Sequence, residues 1–154
     1  MIVRILFIGD IVGRPGRELV RQGLQAIVEH HQIDLVIANA ENSAAGFGIT
    51  REIGDQLLDW GVDVMTSGNH IWDKKEALDY IGAEPRLLRP ANYPAGAPGK
   101  GSYLARTRDG RTAGVVGAPP RCNSCKNCFV SGCVGRISTA VWASTSACSL
   151  SPFR

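Results

Sequence analysis

Short apolar runs alternate with amphipathic stretches along residues 1–117, in the order typical of β-α-β units on a parallel sheet. Residues 2–8 are apolar except for Arg4, which predicts a strand buried on both faces. Apolar residues then recur at helical spacing to about His31. Pro15 falls in the first turn of this predicted helix, where proline is tolerated.

The same alternation predicts a second helix between two further buried strands. Residues 33–38 and 62–66 are the apolar runs that predict these strands. Thr50 precedes an amphipathic stretch and is a suitable N-cap, whereas Gly61 follows it and is a suitable helix stop.

A third helix, a fourth strand and a hairpin complete this part of the pattern. Asp73 and Glu76 have the spacing of a capping box, which predicts a short helix ending near Ile81. Residues 86–90 predict a short strand. Residues 102–108 and 111–117 flank an Asp-Gly pair, which is a strong hairpin signal. The order is therefore β-α-β-α-β-α-β followed by a hairpin, an α/β fold.

Charge and cysteine divide the 154 residues into two unlike parts. The formal net charge is +3, but residues 1–109 contain 12 Lys and Arg against all 14 Asp and Glu, a net charge of −2. Residues 110–154 contain five Arg and Lys and no acid, a net charge of +5, and all five cysteines lie after residue 121. The basic charges are scattered among few aromatic residues, which argues against binding of a nucleic-acid polymer.

The composition therefore predicts two segments, a partial domain over residues 1–117 and a Cys/Ser-rich tail over residues 118–154. The tail lacks helical or strand periodicity, and we expect it to be disordered or the product of out-of-frame translation. The alternative is a small metal module. Its cysteines follow the spacing C-x₂-C-x₂-C-x₄-C from Cys122 to Cys133, close to an iron–sulfur pattern but one residue longer in the last gap.

Polar groups that can bind metal ions follow each of the first three predicted strands. They are Asp10 after the first strand, Glu41 and Asn42 after the second, and Asn69 and His70 after the third. Ligands of open α/β sheets bind outside the carboxyl ends of the strands, so these side chains are expected on one rim. Carboxylate and amide oxygens suit hard divalent cations, and a pair of such ions can clamp a phosphoryl group.

Each of these residues also has an ordinary structural explanation. An Asp after a strand is most often a turn or cap residue, and a histidine before an apolar pair can be a hydrogen-bonded, partly buried side chain. Their recurrence at three successive strand ends favours a metal site. A dinucleotide site is disfavoured, because Gly9, Gly13 and Gly16 have G-x₃-G-x₂-G spacing rather than G-x-G-x-x-G.

Four long segments resemble the YmdB-type branch of the calcineurin-like metallophosphoesterases. They are ILFIGDIVGRPG at 5–16, ANAENSAAGFGIT at 38–50, TSGNHIWDK at 66–74 and LRPANYP at 88–94. The resemblance implies a metallophosphoesterase α/β sandwich, here truncated to its first half. It also implies two divalent or mixed-valence ions, Fe or Mn, and hydrolysis of 2′,3′-cyclic nucleotides, with phosphatase activity in some members.

The resemblance also implies roles for the rim residues. Asp10 would bind one metal ion, Glu41 would be shared between the two, and Asn42 and Asn69 would complete the ligands from this half. His70 matches the family's general acid. The remaining family ligands are histidines in the second half, and no histidine follows residue 70 here. The alternative is therefore a catalytically inactive truncated fragment that binds metal or phosphate weakly.

The expected partner is a small-molecule phosphoester, a cyclic nucleotide. No apolar run approaches the ~20 residues of a membrane-spanning helix, and the amino terminus lacks the pattern of a signal peptide. We therefore expect a cytoplasmic protein without a membrane partner, and a homo-oligomer stays open.

Overall fold

A five-stranded parallel sheet forms the centre of the molecule. The computed structural model describes residues 2–117 and the backbone of residues 139–143. The described strands are β1 (Arg4–Ile8), β2 (Leu35–Asn39), β3 (Val64–Thr66), β4 (Leu87–Leu88), β5 (Ser102–Arg106), β6 (Thr112–Val116) and β7 (Thr139–Ala143). The main sheet has the order β4-β3-β2-β1-β7, and each neighbouring pair is parallel. The predicted α/β class with a parallel sheet is confirmed.

Three helices connect the strands of this sheet. They are α1 (Gly13–His31), α2 (Arg51–Asp59) and α3 (Lys75–Ala83), and a short 3-10 helix (Asn69–Trp72) precedes α3. The side-chain oxygen of Thr50 accepts a hydrogen bond from the backbone N–H of Ile53 at 3.3 Å, which confirms the predicted N-cap. Gly61 follows α2 with φ of +105°, a conformation that glycine adopts without strain.

The two faces of the sheet are buried by different elements. In β2, Val36 and Ala38 pack with apolar side chains of α1, α2 and α3. Leu35 and Ile37 point to the opposite face, because successive side chains of a strand alternate, and pack with residues of β5 and β6. Burial of β2 on both faces explains its continuous apolar run, as predicted.

The predicted hairpin is also confirmed. β5 and β6 pair antiparallel from Ser102 opposite Val116 to Arg106 opposite Thr112. Gly110 lies in the connecting turn with φ of +87°, and the Asp109 carboxylate accepts hydrogen bonds from Thr107 and Arg111. These local bonds fix the turn that brings Ala105 and Ala113 onto the sheet.

The predicted capping box at Asp73 and Glu76 is wrong. The N-cap of α3 is Lys74, which makes no side-chain capping hydrogen bond, and the helix continues to Ala83 rather than ending near Ile81. Asp73 instead ends the 3-10 helix, and its carboxylate hydrogen-bonds the ring of His70. Because the Asp73 carboxylate bonds to His70, it does not cap α3.

A fifth strand of the sheet was not predicted. β7 pairs with β1 from Arg4 opposite Thr139 to Ile8 opposite Ala143. Its pairing is long-range, and neighbouring residues in the sequence carry no turn or cap signal that would mark it. The predicted nature of residues 118–154 otherwise lies outside the described residues, as do all five cysteines. Within the described part of the chain, no helix has the length and apolar character needed to cross a bilayer.

Candidate functional site

The carboxyl ends of β1, β2 and β3 carry the polar residues that the sequence predicts. Asp10 follows β1, Glu41 follows β2, and His70 lies in the 3-10 helix that follows β3. The strands are adjacent and parallel, with Ile8 opposite Ala38 and Asn39 opposite Thr66. The three loops therefore leave the sheet side by side on one rim.

Asp10 and Asn42 meet at this rim. The side-chain amide of Asn42 donates a hydrogen bond to Oδ1 of Asp10 at 2.7 Å, although 32 residues separate them. Two backbone hydrogen bonds join the same loops, from Ile11 to Asn39 at 3.0 Å and from Gly13 to Asn42 at 2.9 Å. Asp10 has φ of +36°, a rarely adopted conformation that these bonds hold in place.

Glu41 is the buried acid of the rim, with 2% of its surface exposed. Its Oε2 accepts a hydrogen bond from the backbone N–H of His70 at 3.1 Å, and the backbone N–H of Gly68 donates a second bond to the carboxylate. Burial raises the pKa of Glu41, and the two backbone hydrogen bonds oppose this rise. Burial therefore disfavours the charged form of Glu41, whereas the two backbone donors favour it and fix the position of the carboxylate.

Gly68 leaves room for this carboxylate. A Cβ at residue 68 would lie 2.6 Å from Oε2 and 2.8 Å from Oε1 of Glu41, which is closer than non-bonded atoms approach. Any larger residue would therefore displace the carboxylate or the backbone. The loop after β3 is shaped around the acid of the loop after β2.

The chemistry of this donor set fits a divalent cation. Among the described residues, Glu41 has no Lys or Arg within ion-pair distance, so its buried charge lacks a compensating cation. Oxygen ligands from Asp10, Glu41 and Asn42 suit a hard ion. The set is partial, because the described part of the chain contains no group of three or more His, Cys, Asp or Glu placed to hold a metal ion.

Asn69 is the least constrained of the predicted residues. It begins the 3-10 helix on the same rim as Asp10 and Glu41, but its side chain is exposed. Within residues 2–117 its side-chain amide forms no hydrogen bond. The structure therefore brings Asp10, Glu41, Asn42 and His70 into one connected group and leaves the Asn69 amide free at its edge.

His70 is held by a carboxylate on one side and faces an aromatic ring on the other. Its Nδ1 lies 2.6 Å from Oδ2 of Asp73, and both side chains are about one-third exposed. The Phe47 ring lies edge-on to the imidazole, with 5.7 Å between ring centroids. The Asp73 contact orients the imidazole and leaves Nε2 as its other polar atom.

Two further polar residues at this site are missed by sequence reasoning. The capping-box interpretation assigns Asp73 to a helix terminus, although its spacing of three from His70 also allows contact within one helical turn. Asn39, at the end of β2, is fully buried, and neither polar atom of its amide has a hydrogen-bond partner. Nothing in the sequence signals an unpaired amide, because pairing depends on what packs above the strand.

Comparison with known proteins places this rim in a family. A sequence model for the YmdB-like protein family matches residues 6–131, well over half of the chain. The chain belongs to this family. The match includes all five predicted site residues and runs past residue 117, the predicted end of the partial domain.

A characterised relative and two solved structures agree with this assignment. A 2′,3′-cyclic-nucleotide 2′-phosphodiesterase of Bacillus subtilis is 48% identical over 114 residues, which cover 74% of this chain and 43% of the relative. A crystal structure of a hypothetical protein from Thermus thermophilus matches with a TM-score of 0.66 and 40% identity, covering 73% of this chain and 43% of that one. A crystal structure of a novel phosphatase from Mycoplasma pneumoniae matches with a TM-score of 0.62 and 32% identity, covering 71% of this chain and 39% of that one.

The chain spans less than half the length of these relatives. The shared segment contains the β1, β2 and β3 rim, so the family relationship covers the group of residues described above. The two relatives whose names state an activity are a phosphodiesterase and a phosphatase, both of which act on phosphoesters.

Proposed function

We propose that this chain forms the amino-terminal half of a metal-dependent phosphodiesterase that hydrolyses 2′,3′-cyclic nucleotides. The observation that carries the proposal is Glu41, a buried carboxylate that pairs with no Lys or Arg among the described residues and accepts hydrogen bonds from the backbone of His70 and Gly68. The name of the Bacillus subtilis relative supports the substrate class. Phosphatase activity, as in the Mycoplasma pneumoniae relative, is the related alternative.

Asp10, Glu41, Asn42 and Asn69 would hold a dinuclear centre of Fe or Mn ions together with ligands from elsewhere. Glu41 would be the buried carboxylate among these ligands, with two oxygens able to bind a metal ion. The chemistry that the ions supply when bound is charge stabilisation on the phosphoryl group and acidification of a water molecule. The hydrogen bond from Asn42 holds Asp10 in position for this role.

His70 would act as the general acid. Its Nδ1 is engaged by Asp73, so the proton available to a substrate is the one on Nε2. Delivery of that proton to the departing ribose oxygen would avoid release of an alkoxide. Asp73 would stabilise the positively charged imidazolium that must be present before the transfer.

The second candidate function is that of an inactive fragment that binds metal or phosphate weakly. The partial donor set favours it, because no group of three or more acidic, His or Cys side chains is assembled within the described part of the chain. The two candidates differ in turnover, not in the location of the site. A binding measurement and a hydrolysis measurement on the same preparation therefore separate them.

The test is hydrolysis of 2′,3′-cyclic AMP in the presence of Mn²⁺ by the wild-type chain and by Glu41→Gln. We expect the wild type to form a nucleoside monophosphate. The variant should hydrolyse the substrate about 100-fold or more slowly, because the negative charge of the Glu41 carboxylate is lost. Glu52→Gln, an exposed change on α2, is the matched control and should keep the wild-type rate. Equal rates for wild type and Glu41→Gln would overturn the proposal.

Titration of Mn²⁺ into the same proteins tests the second candidate. A wild type that binds Mn²⁺ more tightly than Glu41→Gln, yet produces no monophosphate above buffer, would identify the chain as the inactive fragment. Turnover that depends on Glu41 would exclude that candidate.

A further inference from the structure

The ring of Phe47 is exposed at the edge of the candidate site. It is 60% exposed although Phe is a residue that folding normally buries, and it lies beside the His70 imidazole at 5.7 Å. A single exposed apolar side chain needs no explanation by itself. Contact with the proposed general acid distinguishes Phe47 from exposed residues such as Leu104, which lies on β5 and packs against no part of the rim.

The loop that carries Phe47 is held in a tight and uncommon conformation. Ala45, Gly46 and Gly48 have φ of +59°, +93° and +73°, so three of four successive residues adopt the left-handed region. Backbone hydrogen bonds close the loop, from Ala44 to Gly48 at 3.0 Å and from Phe47 to Ala44 at 3.2 Å. Glycine adopts this region without strain, so only Ala45 is strained, and such strain persists only where the surroundings enforce it.

The same loop is fixed to both sides of the site. Gly46 donates its backbone hydrogen bond to the carbonyl of Asn42, which also binds Asp10 through its side chain. Gly48 lies close to the segment after the 3-10 helix, because a Cβ there would fall 2.7 Å from Cγ of Lys74 and 3.4 Å from the carbonyl of His70. The Phe47 ring is therefore presented from a rigid support.

We propose that Phe47 is a specificity-determining residue that stacks on the base of a bound nucleotide. This inference rests on the function proposed above, since a phosphate bound to metal ions held by Asp10 and Glu41 would set the place of the ribose and base. In a nucleotide one ribose separates the base from the phosphate. The Phe47 ring lies 5.7 Å from the imidazole of His70, so it is next to the group that would contact the ribose oxygen. Stacking on a π-face is available to every base, so Phe47 selects nucleotides over other phosphodiesters without choosing among bases.

The Phe47 ring makes a T-shaped contact with the His70 imidazole, at an interplanar angle of 70°. Because 60% of the residue is exposed, ring surface remains open for a planar ligand to stack on. Because the loop is already fixed, little conformational freedom is lost when a base binds. Rigid presentation thus makes a single aromatic ring an effective contact.

The test measures binding of two cyclic phosphodiesters to the full chain in the presence of Mn²⁺. One probe is 2′,3′-cyclic AMP, and the other is glycerol 1,2-cyclic phosphate, which has the same five-membered ring and no base. The variants are Phe47→Ala and Phe47→Trp, with Leu104→Ala as the control that removes an equally exposed apolar side chain elsewhere. Ligand-observed NMR gives the affinities without requiring turnover.

We expect Phe47→Ala to weaken binding of 2′,3′-cyclic AMP about 5- to 150-fold, the range of one lost base–aromatic stack. Binding of glycerol 1,2-cyclic phosphate should change less than about twofold. Phe47→Trp and Leu104→Ala should retain wild-type affinity for both probes, because the first keeps a π-face and the second is remote.

Unchanged nucleotide affinity in Phe47→Ala would overturn the inference, as would an equal loss for both probes. A wild type that binds the nucleotide no more tightly than the base-free probe, or binds neither, would also overturn it. Failure of the proposed function has a different appearance. It would be Phe47-dependent nucleotide binding with no hydrolysis, so the two failures are distinguishable.

Discussion

Nδ1 of His70 lies 2.6 Å from Oδ2 of Asp73, which is three residues, or one turn of the 3-10 helix, further along the chain. The same histidine donates its backbone N–H to Glu41 on the neighbouring loop. One residue therefore connects the buried acid of the rim with an exposed carboxylate. This pair of contacts fixes both the backbone and the ring of His70.

Replacement of Asp73 by Asn should change the tautomer of His70. Facing a carboxylate, Nδ1 must carry the proton, so neutral His70 should be the Nδ1–H tautomer in the wild type. An amide accepts this proton less strongly, and Asp73→Asn should give a mixture of tautomers. Two-dimensional ¹H–¹⁵N NMR of the imidazole distinguishes the two forms. An Nε2–H tautomer in the wild type would contradict the assigned contact.

Replacement of Glu41 by Gln should stabilise the metal-free chain while weakening its affinity for Mn²⁺. Burial raises the pKa of Glu41, so its ionised form destabilises the folded state near neutral pH. A neutral amide removes that penalty, and we expect a gain of about 1 kcal/mol in the free energy of unfolding. Urea unfolding with and without Mn²⁺ measures both effects. Lower stability of the variant without metal would contradict the argument.

Replacement of Gly68 by Ala should destabilise the chain by about 1–3 kcal/mol, as overpacking does. The new Cβ would lie 2.6 Å from Oε2 of Glu41, so the carboxylate or the backbone must move. Gly23→Ala is the matched control, because a Cβ there meets no atom within 4 Å and residue 23 lies inside α1. The control should raise stability by about 0.4–1 kcal/mol. Chemical unfolding compares the two, and equal effects would refute the close contact.

Replacement of Glu84 by Gln should lower stability near neutral pH and have little effect in acid. Hydrogen bonds from Arg86 lower the pKa of Glu84 below its ordinary value of 4.5, with two contacts of 2.8 Å. A group whose pKa is lowered in the folded state stabilises the protein above pH 4.5. This contribution is lost as the pH falls through the pKa of Glu84 in the folded state. The pair is partly exposed, so the expected loss is about 0.5–1 kcal/mol.

Urea unfolding of wild type and Glu84→Gln across pH checks this sign. The difference between the proteins should shrink as pH falls below 4.5 and through the lowered pKa of Glu84. A difference that grows in acid would mean that the ion pair is not the cause.

Most of the described fold could be predicted from local signals. The continuous apolar run of β2 indicates burial on both faces, Thr50 marks the start of α2, and the Asp109–Gly110 pair marks the hairpin. Each of these signals acts over a few residues, so the sequence displays it directly. β7 was not predicted, and its place in the sheet is set by pairing with β1, which lies more than a hundred residues away in the chain.

The candidate site was located by the same reasoning but not resolved into contacts. Strand ends in a parallel sheet share an edge, so Asp10, Glu41 and His70 could be expected together. The hydrogen bond between Asp10 and Asn42 and the missing cation beside Glu41 depend on how loops pack, which spacing does not specify. Asp73 shows the same limit, since its spacing equally suited a helix cap and a contact with His70.

The amino-acid sequence by itself indicated β1 to β6, the three helices between β1 and β4 and the shared rim of polar side chains, because hydrophobic periodicity and the alternation of strands with helices are visible over a few residues. Only the tertiary structure decided which of these groups touch. It placed the Asp73 carboxylate on His70 instead of on α3, and it exposed Phe47 on a strained loop beside the imidazole. The Asp73 contact is local, but His70 is fixed by its backbone hydrogen bond to Glu41 on another loop, and the exposure of Phe47 depends on how its loop packs beside the 3-10 helix.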